Sequence, residues 1–298
     1  MKERELAISI ARCAEVVTAR SSTNHPCSKI VKLQPDPSDH QVPEPWFGNL
    51  SEAKILFIAS NPSINTKTGP WAEIYPRADW PDDAIGEWVL RRVDQSWDAV
   101  PVTFGRPPLK NFLVRCENGE YRNDGPKPLS PQPSWNGVHQ RAVELLGQSA
   151  SPFTNYALTE VVHCKSKAAV GVPEALAFCG STWMEQILST AVNVRLVVLL
   201  GSHARNWAIT QFSLHPDFAC PIEQGGIEAA LNSTFVTELN DRRSMPFCAL
   251  PHPTSQARGG TKFVTRFGEA CTSALSKIAR GEVSIPSSND DLSHMLSP

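Results

Sequence analysis

No stretch of this 298-residue chain approaches 18 consecutive apolar residues, so no transmembrane helix is expected. The opening MKERELAISIARC places charges around a short apolar stretch. It reads as an amphipathic helix and lacks the long apolar core and small-residue cleavage site of a secretory signal, so a cytoplasmic location is expected. An excess of charge is also missing: 28 Lys and Arg against 30 Asp and Glu leave a net charge of -2. Whole-molecule charge therefore neither demands nor excludes a polyanionic partner, and any nucleic-acid surface must be a local patch. There is no internal repeat and no C-x-x-C pair. In a reducing compartment the eight cysteines read as thiols or metal ligands rather than disulfides.

What is present is a chain with 41% hydrophobic residues, enough to bury a sizeable core. Its length fits two domains or one α/β domain with a long insertion. Four apolar runs read as strands buried on both faces: 54–59 (KILFIA), 156–162 (YALTEVV), 195–200 (RLVVLL) and 247–250 (FCAL). Helical patterns lie between them, over 171–188 with Pro173 near the start, and in SHARNWAITQF directly after Gly201. This order predicts a three-layer α/β/α fold with a central four-stranded parallel sheet and right-handed crossovers. About ninety residues rich in Pro, Trp and Arg separate the first two strands. They read as an insertion at about 70–150, with a helix near 82–93, a proline-punctuated loop at 125–134 and a helix from Asn136 to Leu146. The expected organisation is a helical segment over 1–41, a main domain over 42–283 and a disordered polar tail over 284–298.

Ligands of open parallel sheets sit outside the carboxyl ends of the strands. Past the first run comes Ser60-Asn61-Pro62-Ser63; in the second lie Thr159-Glu160; past the third comes Gly201-Ser202-His203; past the fourth comes Pro251-His252-Pro253-Thr254-Ser255. An amide, a carboxylate and an imidazole would converge on one cleft.

These residues and their order resemble the uracil-DNA glycosylase superfamily. Ala59-Ser60-Asn61-Pro62-Ser63 is similar to its first motif, in the Asn-Pro form of the mismatch-specific and single-strand-selective branches. His252-Pro253-Thr254, followed by Ser255-Gln256-Ala257-Arg258, is similar to its second motif, His-Pro-Ser with a basic loop. Thr159-Glu160-Val161-Val162-His163-Cys164, with Cys179 fifteen positions on, is similar to the T-N-x-x-K-C strand and helix cysteine of the iron-sulfur branches. Val42-Pro43-Glu44-Pro45-Trp46-Phe47-Gly48 looks like the family's lead into the first strand, and the resemblance covers roughly residues 42 to 276.

The resemblance implies a monofunctional DNA glycosylase. It would hydrolyse the base-sugar bond of a flipped-out uracil or modified pyrimidine and leave an abasic site. DNA would be its partner, no membrane would be involved, and the protein would be a monomer. Such hydrolysis passes through an oxocarbenium-like sugar, so the enzyme must place a water and stabilise charge on the departing base, with no cofactor needed for catalysis. On this mapping Asn61 orients the water and His252 donates to the base oxygen. Ser60 and Glu160 belong to the base-binding wall, and Tyr75 or Trp71, both in GPWAEIYP, stacks on the extruded ring. Ser63, Thr254, Ser255 and the helix start at Gly201 and Ser202 would meet DNA. Arg258, in the loop TSQARGG, suits a wedge, and Arg106, Lys110, Arg115, Arg122 and Lys127 could add a basic strip. Lys165 is not an obvious amine nucleophile, in line with an enzyme that has no lyase step.

Two departures from the family carry weight. Where the iron-sulfur uracil enzymes have Asn, this chain has Glu160, which when ionised can only accept and so favours a base with an exocyclic amine; protonated, it could still bind uracil. Secondly, the branches with a structural [4Fe-4S] cluster draw two ligands from an N-terminal C-x-x-C. Here Cys164 and Cys179 match, and Cys27 and Cys13 could complete the set; alternatively all four are buried thiols without a cluster. The substrate alternatives are a deaminated base, as in repair, and a modified cytosine in phage DNA, as in defence. A catalytically silent DNA-binding module of the same fold is the reading from another class. Taken singly, Asn61-Pro62 is also a strand-ending turn, His252 a loop histidine, Tyr75 and Trp71 core aromatics, and the scattered cations a solvated surface.

Overall fold

The structure, a computed structural model, describes residues 3–64, 75–97, 114–115, 121–122, 133–213, 234–239, 243–254, 261–288, 291 and 294–295. Its strands are β1 (Trp46–Phe47), β2 (Ile55–Ala59), β3 (Val114–Arg115), β4 (Tyr121–Arg122), β5 (Tyr156–Glu160), β6 (Leu196–Leu200), β7 (Thr234–Glu238) and β8 (Ser244–Leu250). Among the described residues, strands β3 and β4 pair with each other, and the rest form one sheet in the order β1-β5-β2-β6-β8-β7.

The four apolar runs make the parallel centre of that sheet, with β5 and β6 on either side of β2 and β8 beyond β6. The expected four-stranded parallel sheet is nevertheless corrected to a six-stranded mixed one, because β1 and β7 add antiparallel edges on β5 and β8. The physical reason is that β5 and β8 would otherwise present unpaired backbone along open edges. Neither edge strand carries a continuous apolar run. β1 has only two residues, and β7 passes from buried Val236 to exposed Glu238.

Two-residue periodicity sends the side chains of each strand to opposite faces. From β2, Leu56 and Ile58 join one core while Ile55, Phe57 and Ala59 join the other. The first face is covered by α1 (Glu3–Ala11), α4 (Asp82–Trp97), α6 (Val172–Thr190) and α7 (Ser202–Gln211), through residues such as Leu6, Trp88, Ile187 and Trp207. The second is covered by α5 (Pro133–Leu146) packed on α8 (Phe263–Arg280), with Val138, Leu145, Phe263 and Leu275 inside. Helices α4 and α5 come from the stretch read as an insertion, and each feeds one core. Beyond α8, Val283, Ile285 and Met295 rest on the second layer. Two short helices, α2 (Glu15–Ser21) and α3 (Ser28–Val31), build a third cluster against the start of α6. Each fully buried Leu, Ile or Phe in these layers contributes about 1.5–3 kcal/mol.

The α6–α7 contact depends on an absent side chain. A Cβ on Gly180 would lie 2.3 Å from Nε1 of Trp207, which is itself only 3% exposed. Gly180→Ala should lower stability by about 1–3 kcal/mol through overpacking, seen as an earlier urea-unfolding midpoint at unchanged slope. An unshifted midpoint would mean that the helices separate freely.

Candidate active site

Past β5 the chain stays buried from Glu160 through Ser166, so its backbone groups need partners inside the protein. The amides of Val161 and Val162 donate to the carbonyls of Ala59 and Ser60, both at 3.0 Å. Ser166 donates to Pro62 at 2.9 Å, and Ile64 donates back to Ser166 at 3.2 Å. On its other side, Glu44 donates its amide to the carbonyl of His163 at 2.9 Å, while the Thr159 hydroxyl donates to the Pro45 carbonyl at 2.7 Å. The Asn61 turn and the Glu44 segment are thus held against the same run of chain.

A cavity of about 300 Å³ opens at these strand ends, within the size range of small-ligand sites. Asn61, Ser63, Tyr75, Glu160 and His252 all line it, as do Glu44, Ser134 and Trp135. The structure therefore brings together five of the residues singled out in the sequence. Trp71, Ser255 and Arg258, with Arg106, Lys110 and Lys127, lie outside the described residues, and Arg115 and Arg122 fall on the β3–β4 hairpin.

Asn61 is oriented from both ends. Its amide nitrogen donates to the Pro62 carbonyl at 2.9 Å, and its carbonyl oxygen accepts from the Ser60 hydroxyl at 3.1 Å. An amide has two donor hydrogens and two acceptor lone pairs, so one of each remains to hold a water. Ser60 is placed by this to position Asn61. Glu160 ends β5 and is 7% exposed.

His252 follows β8, and its Nδ1 lies 2.8 Å from the Thr254 hydroxyl oxygen and 3.4 Å from the Thr254 amide nitrogen. The amide can only donate, so Nδ1 accepts and the neutral ring carries its proton on Nε2. Burial holds the imidazole pKa below the usual histidine value. The turn abuts the start of α7, because a Cβ on Gly201 would lie 3.5 Å from that of His252; Ser202 begins the helix beside it. Helix α5 presses on it too, since a Cβ on Gly137 would meet that of Pro253 at 2.3 Å.

Glu44, Trp135 and Lys165 were not assigned from the sequence. Trp135 enters from α5 and stacks on Phe47 at 4.5 Å between ring centroids. Lys165 is 2% exposed, and its Nζ pairs with Glu44 Oε2 at 2.5 Å, across 121 positions of sequence. The same Nζ stands 3.7 Å from the centroid of Tyr75, whose ring is also tilted on Trp88 at 5.3 Å. The readable signal for Glu44 was a lone carboxylate between two prolines ahead of β2; nothing in the sequence linked it to Lys165.

A second cluster lies on the far side of the same segment. Cys13, Cys27, Cys164 and Cys179 line one small cavity of about 10 Å³ with His163, Phe178 and Trp183. Burial raises the pKa of all four thiols, Cys27 to about 11 and Cys179 to about 12, and neighbouring thiols push Cys27, Cys164 and Cys179 further up. Four protonated thiols in mutual electrostatic reach result. Among the described residues every cysteine is free, and no three His, Cys, Asp or Glu side chains stand close enough to share a single metal ion. His163 donates from Nδ1 to the Glu44 carbonyl at 2.8 Å, while its buried Nε2 has no partner among the described residues. Burial drives its pKa down to about 4. No helix of the described residues is long and apolar enough to cross a membrane.

No protein-family model matches this chain, and no curated protein matches it.

The His252 geometry has a direct spectroscopic test. In 15N-histidine-labelled protein, His252 should be neutral at pH 7 with its proton on Nε2, and should titrate with a midpoint below about 6.5. A proton on Nδ1, or an imidazolium at pH 7, would remove it as the donor facing the cavity.

Proposed function

We propose that this protein is a monofunctional DNA glycosylase, acting as a monomer on a pyrimidine base flipped out of DNA. The observation that carries the reading is the convergence of Asn61, Glu160 and His252, from the ends of β2, β5 and β8, on one cavity large enough to admit a base. In this mechanism Asn61 holds a water below the anomeric carbon. As the bond from that carbon to the base nitrogen breaks, the water oxygen forms the new bond and gives up a proton to solvent. The departing base takes the electron pair, and His252 Nε2–H hydrogen-bonds its oxygen as charge collects there. A neutral imidazole suffices, because its role is donation of a hydrogen bond rather than of a proton.

Glu160 bears on the substrate. It lines the cavity together with a second carboxylate, Glu44, and ionised carboxylates only accept hydrogen bonds. That favours a base that offers an amine, a cytosine or modified cytosine, over uracil. A role in defence against phage DNA carrying such bases fits this preference, and repair fits uracil.

The four cysteines fit all-cysteine ligation of a structural [4Fe-4S] cluster held by Cys13, Cys27, Cys164 and Cys179. The cluster would tie the N-terminal helices to the strand end that carries Glu160, and the chemistry at the cavity would belong to the protein side chains alone. Anaerobically purified protein should then absorb near about 400 nm and hold about four irons per chain, both lost in Cys164→Ala. Colourless, iron-free protein would leave the four as buried thiols.

Labelled oligonucleotides carrying uracil, hypoxanthine, cytosine and 5-modified cytosines test the activity, with alkaline cleavage revealing abasic sites. The wild type should cleave at least one, and Asn61→Ala should be slower by about 10²–10³-fold with DNA binding kept. Binding with no abasic sites on any base would make the protein a silent DNA-binding module instead.

A further inference from the structure

Lysine is almost never fully buried unless paired, and an isosteric apolar replacement of a buried pair is often no less stable. Lys165, at 2% exposure, therefore calls for a reason other than stability. Its surroundings supply one. Its ammonium is bonded to the Glu44 carboxylate and lies over the face of the Tyr75 ring, and Glu44 and Tyr75 are both walls of the candidate base pocket. The Glu44 backbone is already fixed by two hydrogen bonds with His163, one to its carbonyl and one from its Nδ1. Lys165 acts instead on the carboxylate. The pocket's second carboxylate, Glu160, lies five residues before Lys165 on the same buried run.

We propose that Lys165 is a positioning residue for base selection, one buried cation that fixes both the Glu44 carboxylate and the Tyr75 ring on the pocket wall. The inference rests on the glycosylase reading and goes beyond it. A carboxylate oxygen held by Lys165 still has lone pairs to offer, so Glu44 and Glu160 together present an acceptor-lined wall. Such a wall takes a pyrimidine whose edge carries hydrogen-bond donors. Lys165 itself touches no substrate; it acts through the two residues it holds. The electrostatic hold on the ring is of the cation–π kind, strongest where water is excluded.

Lys165→Met keeps the apolar stem and removes the charge. It should lower kcat/KM on the preferred base by about 10- to 100-fold, the range expected when a binding group is misplaced by about 1 Å. The ratio of kcat/KM between cytosine-type and uracil oligonucleotides should move toward one, and Lys165→Arg should recover part of both. Glu44→Gln/Lys165→Met should be no worse than Lys165→Met alone, as for residues that act as a unit. Unchanged selectivity in Lys165→Met, or losses that multiply in the double variant, would overturn the proposal. If a stranded Glu44 charge stops Lys165→Met from folding, the uncharged double variant is compared with the wild type for the same selectivity. A wild type that makes no abasic sites defeats the glycosylase reading instead. The variants are then compared by fluorescence anisotropy on the same labelled oligonucleotides, where lost base selectivity upholds the pair and unchanged selectivity or no binding overturns it.

Discussion

The backbone of residues 160–166 is buried, and its amides and carbonyls have to be paired within the protein. They meet that demand by continuing a ladder beyond the formal end of β5, against 59–64 on one side and Glu44 on the other. Much follows from this one requirement. The Asn61 turn cannot splay away from Glu160 without breaking paired, buried hydrogen bonds. The Glu44 segment is brought to the same cavity from outside the strand order. Cys164 is turned toward Cys13, Cys27 and Cys179 from the same stretch that carries Glu160.

Charged and polar groups are placed within this frame at some energetic disadvantage. The Glu44–Lys165 pair loses the hydration of two ions, and His163 keeps one ring nitrogen without a partner among the described residues. As the chain leaves the segment, Ala168 and Ala169 adopt left-handed backbone conformations with φ of 53° and 56°, where non-glycine residues are disfavoured. Polar burial and backbone strain thus gather around residues 160–169, between the two cavities. Such a concentration is characteristic of functional sites rather than of plain packing.

The central strands were legible because a strand buried on both faces must be apolar throughout, as ILFIA and LVVLL are. The edges were not, since β1 is too short to show a pattern and β7 mixes Thr and Glu with its buried Val236. Strand β8 was read only from Phe247, although it begins at Ser244, because Pro246 interrupts the run; that proline sits opposite Val236 on the edge strand, before the pairing with β6 begins at Phe247. Asn61 and His252 follow from their positions just past the ends of apolar runs, a rule of topology that needs no distances, whereas Glu160 stands inside the run 156–162, which reads on to Val162 although β5 ends at Glu160. Trp135 and the Glu44–Lys165 pair lay beyond it, because they depend on how α5 lands on the Pro253 turn and on a contact spanning 121 positions. The four cysteines showed spacing on one side only, and their meeting depends on where α2 and α3 pack.

The sheet order also bears on the birth of the protein. Strand β2 has both its neighbours downstream: β5 is complete about 100 residues later and β6 about 140 later. At ~5–20 residues per second on the ribosome, this leaves an uncharged β-forming segment without its partners for roughly 5–30 s. Five such residues in extended form are a ready template for pairing with other chains. A strand from the centre of the finished sheet is, during synthesis, an early and long-exposed adhesive segment, and how well the nascent chain is shielded over that interval sets how much of it reaches the native fold.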